Sequence, residues 1–181
     1  MSEVAETRRN DAAAGFKVYR KKTSGRMPRS TERGSDRAGH DKNSAGEQGM
    51  AKVIAAGLGN GAETRMIFTS PGLHITQAWF KSGFPLPLHS HDADCFYHVM
   101  AGSMNAGTER LGPGDGVFIP AGVPYTLAPG DEGCEFLEVR TTDDFNTEFK
   151  PGNPDYWNRL AGLAAAAQER WTTERSPFPD N

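Results

Sequence analysis

Glycine and proline interrupt the stretch from Lys52 to Arg140 at short intervals, and this punctuation limits the fold more than any other feature of the chain. Pro71-Gly72, Gly112-Pro113-Gly114-Asp115 and Pro129-Gly130-Asp131 mark turns between short segments. The spacing predicts strands near 52–56, 64–69, 73–80, 87–91, 94–101, 103–106, 116–119, 124–127 and 134–140. Many short strands joined by such turns make an all-β barrel or sandwich. No internal repeat is visible, so a single barrel is expected.

The two ends differ from this middle. Residues 1–50 carry 11 Lys and Arg against 7 Asp and Glu, with almost no large apolar residue between Met27 and Met50. Such a composition buries too little surface to offset ordering entropy, so 1–50 is expected to be a mobile, basic, largely irregular extension. Its one β-prone piece, Phe16-Lys17-Val18-Tyr19-Arg20, is suited to pairing with a sheet edge, on a partner subunit for example. The barrel is then assigned to 51–145, with the folded part beginning near Met50. After Asp143 the pattern turns helical. Pro154 and Asp155 fit a first helical turn, and Tyr156, Trp157, Leu160, Leu163, Ala164, Ala167 and Trp171 share one face. A helix ending near Thr172 and a tail are expected within 146–181, the helix packing on the barrel exterior.

Residues 51–181 carry 9 Lys and Arg against 16 Asp and Glu, a sign that makes a poor non-specific binder of nucleic acid. No apolar run reaches the length of a membrane span, and no uninterrupted apolar signal core is present. A cytoplasmic protein with neither nucleic acid nor membrane as partner is expected. Two cysteines, Cys95 and Cys134, do not make a disulfide framework.

The chemistry concentrates around His89-Ser90-His91. Histidines two apart on a strand point to one side, and two converging imidazoles are half of a transition-metal site. The flanking spacing is Gly83-x5-His89-x-His91-x3-Cys95-x6-Gly102, followed by Gly114-x5-Pro120-x-Gly122-x2-Tyr125. These two patterns resemble the paired motifs of the cupin superfamily over about Arg65 to Arg140. Glycines, proline, the first two histidines and the spacings match. The resemblance implies a double-stranded β-helix, or jelly-roll barrel, holding a divalent metal. Cys95 stands where that family places a Glu ligand, and Tyr125 where it places a third His.

The departures leave the third ligand open among Cys95, Tyr125 and Glu138. A thiolate at Cys95 binds metal, whereas a buried thiol stays protonated and inert. Glu138, in Phe136-Leu137-Glu138-Val139-Arg140, completes a two-His, one-carboxylate set if it faces inward, and is a solvated side chain if it faces outward. The candidate metal ligands are His89 and His91, with Cys95 and Glu138 as alternatives to complete them. Tyr97 shares the parity of Cys95, so Tyr97 and Tyr125 are candidate acids or bases. Phe84, Phe118 and Arg140 are assigned to substrate, with Arg140 available for a carboxylate. His98 has outward parity and suits a dimer interface, and His74 reads as a hydrogen-bonded strand histidine.

The resemblance implies a mononuclear non-haem metal oxygenase acting on a small organic molecule, with Fe(II) favoured over Zn, Mn or Ni. Two alternatives stand beside it. One is a non-catalytic cupin that binds a small ligand, and the other a lyase or isomerase that uses a barrel Tyr as acid or base. A homodimer is expected, as small cupins commonly pair through sheet faces or exchanged strands.

Overall fold

A computed structural model of the protein describes residues 18–20, 44–150 and 153–178. Most of the basic extension, including Phe16 and Lys17, lies outside the described residues. Val18–Arg20 form no strand there, and the Tyr19 hydroxyl donates to Gln77 Oε1 at 3.2 Å.

Among the described residues eight strands follow a first helix: β1 (Ala62–Ser70), β2 (Leu73–Phe80), β3 (His89–His91), β4 (Cys95–Ala106), β5 (Glu109–Leu111), β6 (Gly116–Ile119), β7 (Leu127–Arg140) and β8 (Thr147–Phe149). The larger sheet runs β1-β2-β7-β4-β5, with β6 also paired to β4, and β3 pairs with β8 in a second sheet. Neighbours are antiparallel throughout. This is the all-β arrangement expected from the turns, and it fits the jelly-roll barrel that the motif resemblance implies.

Several strand limits differ from the expected ones for local reasons. The segments 94–101 and 103–106 are one strand, β4, because Gly102 takes a positive φ of 72° and absorbs a bulge within it. A Cβ on Gly102 would overlap the Gly133 carbonyl. The Pro129-Gly130-Asp131 turn is likewise a bulge inside β7: Met104 pairs with Pro129 and Gly102 with Cys134, so the intervening β7 residues bulge out. The strand expected at 124–127 reduces to a single bridge between Tyr125 and His89.

The strand expected at 52–56 is helix. Helix α1 (Ala45–Ala55) runs across residue 50, capped by Ser44, whose hydroxyl accepts from the Glu47 amide at 3.2 Å. Its Gly46 and Gly49 permit close approach: a Cβ on Gly49 would overlap the Trp157 indole, and one on Gly46 the Phe149 carbonyl. The predicted C-terminal helix is two, α2 (Pro154–Ala166) and α3 (Gln168–Thr173), and at the break the Gln168 side chain folds back to the Ala164 carbonyl at 2.6 Å. Asn153 caps α2 and Pro154 opens it, as expected.

Two cores result. Val53, Leu58, Phe84, Trp157, Leu160, Ala164 and Trp171 form a helical cap over one end of the barrel. Ala78, Cys95, Tyr97, Val99, Met104, Ile119, Leu127 and Phe136 fill the barrel itself. The Trp171 indole donates to the Ser82 carbonyl at 2.9 Å and Lys81 Nζ to the Trp171 carbonyl at 2.5 Å, which ties α3 to the end of β2. Leu163, expected on the apolar face, is 51% exposed. No helix among the described residues is long and apolar enough to cross a membrane.

Candidate active site in the barrel

Strand register assembles the site. Thr76, Glu138 and Tyr97 stand opposite one another across β2, β7 and β4, and His74, Arg140 and Cys95 form the next row. Phe136, Glu138 and Arg140 share the inward face of β7, which decides the open orientation of Glu138. β3 brings His89 and His91 in from the opposite sheet, both buried. The His89 ring lies 4.9 Å from that of His91 and 4.4 Å from that of Tyr125.

Both imidazoles have an assigned tautomer. Nδ1 of His89 meets the Pro87 carbonyl at 2.7 Å, and Nδ1 of His91 the Asn146 carbonyl at 2.9 Å. A carbonyl only accepts, so each Nδ1 carries the proton and each Nε2 is a lone pair facing the barrel. Burial holds the His89 pKa below the ordinary imidazole value, although the Pro87 carbonyl pulls the other way. Burial, then the Arg140 guanidinium, lowers His91 to about 4.

Glu138 organises the opposite wall. Its Oε1 accepts from the Tyr97 hydroxyl at 2.5 Å, from Arg140 Nη2 at 2.6 Å and from the Cys95 thiol at 3.7 Å, while Oε2 accepts from Thr76 at 3.0 Å. Burial raises its pKa, but Arg140 and the Tyr97 hydrogen bond outweigh that, and the carboxyl ends at about 2. An ionised Glu138 accepts the hydrogen bond of the Tyr97 hydroxyl, so in the 2.5 Å contact between the two phenols Tyr125 donates to Tyr97. The chain of donors runs Tyr125, Tyr97, Glu138. Burial, followed by the Glu138 charge, raises both phenols, so neither supplies a phenolate base at neutral pH. Arg140 is pushed down by burial and up by Glu138, with a net rise.

The expected site residues do not all converge. His89, His91, Tyr97, Glu138, Arg140 and Phe84 line a cavity of about 560 Å³, and Tyr125 touches it through its contacts with His89 and Tyr97. Phe118 does not belong to it. It sits on the outer face of β6, 57% exposed, because it pairs with outward-facing Phe96. Cys95 is buried behind Glu138, with its thiol pushed up to about 12 by burial and then by that carboxylate, so it remains a thiol. Asp94 turns away and accepts from the Ala121 amide. His98 is on the outer face as expected, stacked on Phe96. Buried His74 approaches Thr69 Oγ1 at 3.5 Å.

Several contributors escaped the sequence reading. Phe145 covers Arg140, its ring centre 4.0 Å from the guanidinium carbon, and meets His91 edge-on. Thr76 completes the hydrogen bonds of Glu138. Met50, Leu58, Leu86, Phe149 and Trp171 make the outer cavity wall apolar. These positions lie far apart in sequence, and no local pattern marks them.

A divalent metal does not fit this arrangement. Arg140 Nη2 donates to His91 Nε2 at 3.0 Å, so that lone pair is taken, and Glu138 Oε1 already accepts three donors. Among the described residues no three His, Cys, Asp or Glu side chains stand together as metal ligands.

No family model matches the sequence, and no curated protein matches it at a significant level. Solved structures are similar. The polyketide cyclase RemF from Streptomyces resistomycificus aligns at a TM-score of 0.50 and 21% identity, over 60% of this chain and 84% of that one. An RmlC-like cupin from Shewanella frigidimarina aligns at a TM-score of 0.43 and 21% identity, over 46% of this chain and 78% of that one. Identities of this size speak for fold alone. The RemF alignment, with the sheet order already described, shows a shared jelly-roll type of fold.

Proposed function

We propose that this protein is a metal-independent enzyme that moves protons on a small, largely apolar carbonyl compound, in the manner of an isomerase, lyase or cyclase. One observation carries the reading: a bare, neutral imidazole of His89 lines an apolar cavity that Tyr97, Glu138 and Arg140 also line, with Tyr125 beside His89 donating into the Tyr97-Glu138 chain. Such a nitrogen is a general base for a C–H or O–H proton. Arg140 lies where it can stabilise negative charge developing on the substrate oxygen, and Phe80, Phe84, Leu86 and Phe149 exclude water around the carbon skeleton. Tyr97 and Tyr125 hold and relay protons through hydrogen bonds and do not act as phenolates.

The test is deuterium exchange of α-protons, followed by NMR in D2O over a panel of diketones and phenolic ketones. His89→Ala is expected to lower the exchange rate by about 100-fold or more, and Tyr125→Phe by less. Burial keeps His89 neutral to unusually low pH, so the wild-type rate should stay flat from about pH 8 to below 6.5, where an ordinary imidazole is already half protonated. Saturable binding with no exchange on any of these compounds would instead identify a ligand-binding protein. The oxygenase reading implied by the motifs requires stoichiometric iron and oxygen uptake, which the same preparations can be examined for.

A further inference from the structure

We propose that Arg140 is the barrel's resident cation: its guanidinium holds the place between His91 and Glu138 that a divalent metal needs, and removing it opens a metal site on His89, His91 and Glu138. One nitrogen, Nη2, bridges a neutral imidazole at 3.0 Å and a carboxylate at 2.6 Å. Both imidazoles keep their Nδ1 protons on main-chain carbonyls, the orientation in which Nε2 serves a cation. His89 lines the same cavity as His91, their ring centres 4.9 Å apart.

The guanidinium cannot deprotonate, so its charge is permanent. It is also fixed in place. Its pairing with Glu138 is buried, and Phe145 covers its face. A divalent ion beside it would set three positive charges against one carboxylate. Arg140 and a metal are therefore mutually exclusive occupants. With Arg140 in place no three such ligands stand together among the described residues; without it two neutral imidazoles and one carboxylate are free to close on an ion, the kind of set that takes first-row divalent metals. This exclusion of metal by Arg140 is independent of the proposed proton-transfer activity.

The experiment is equilibrium dialysis of the full-length protein against Zn(II) and Co(II), with bound metal quantified and the Co(II) visible spectrum recorded. Wild type, Arg140→Ala and Arg140→Met are compared, the last keeping an apolar stem against Phe145. Wild type should retain less than about a tenth of an equivalent. Both variants should bind one equivalent, about a hundredfold or more tighter than wild type. Adding His89→Ala should abolish that binding. Wild type that takes up one equivalent through His89 would overturn the proposal, as would folded variants that take up none. Should both variants unfold without metal, circular dichroism with and without Zn(II) is the readout. Recovery of β-structure that depends on His89 supports the proposal, and no recovery overturns it.

Discussion

Glu138 and Arg140 are two residues apart on one strand, and the pleat alone puts both on the inner face. Burying two charges is costly, and each is tolerated here because the other is present with further hydrogen bonds. Glu138 leaves an uncompensated guanidinium if it is neutralised. Glu138→Gln is therefore expected to destabilise the fold by about 3–5 kcal/mol in denaturant melts, while the double change Glu138→Gln with Arg140→Met should recover much of that loss. The same residues set the response to acid. The folded pKa values of His91, about 4, and Glu138, about 2, lie below their ordinary values. Between those limits the unfolded chain binds more protons than the native one, so stability falls as the pH falls. His91 contributes to the fall from about pH 6.5 to 4 and Glu138 from about 4.5 to 2. Melting temperatures measured from pH 8 to 3 should decline with no plateau near pH 5. Cys95 illustrates what sequence leaves undecided at this scale. Its position in the motif suggests a ligand, but its environment makes it a buried thiol.

Helix α1 is an element that composition concealed. Its residues, AGEQGMAKVIA, follow a basic polar stretch and include two glycines, which weaken a helix in isolation. Tertiary packing overrides that propensity. The glycines admit Phe149 and Trp157 against the helix backbone, and Val53 is fully buried in the cap. Gly49→Val should therefore destabilise the protein by about 1–3 kcal/mol, read as a lower melting temperature, even though valine and glycine differ little in an exposed helix. Gly162, on the exposed side of α2, meets nothing within 4 Å, and Gly162→Ala should be neutral or slightly stabilising. The strands were more legible. β2, β6 and the inward set of β4 match the predicted limits and parity because alternation and turn residues are local signals. β5 and β8, three residues each, were too short to carry a pattern.

At the scale of the whole molecule, the cap and the barrel share the cavity. Met50, Leu58 and Trp171 come from the cap, and Tyr97, Glu138 and Arg140 from the barrel. The terminal helices are therefore part of the fold and of the site. Deleting residues from Asn153 onward removes Trp157, Leu160, Ala164 and Trp171 from the cap core. The shortened chain should lose its cooperative melt and bind a hydrophobic dye, rather than remain as a barrel without its cap.

The sequence by itself determined the β architecture, the direction of His89, His91, Cys95 and Tyr97, and the two glycine-proline motifs that frame them. These follow from turn chemistry and from the two-residue period of a strand, both of which act between near neighbours. Only the tertiary structure decided which group faces the two imidazoles. Whether Glu138 turned inward, and whether Arg140 or a metal stood beside His91, depended on the pairing of β7 with β2 and β4 and on Phe145 closing from a distant loop. Charges in a low-dielectric interior are settled by everything around them at once, and no local pattern in this sequence specifies those surroundings.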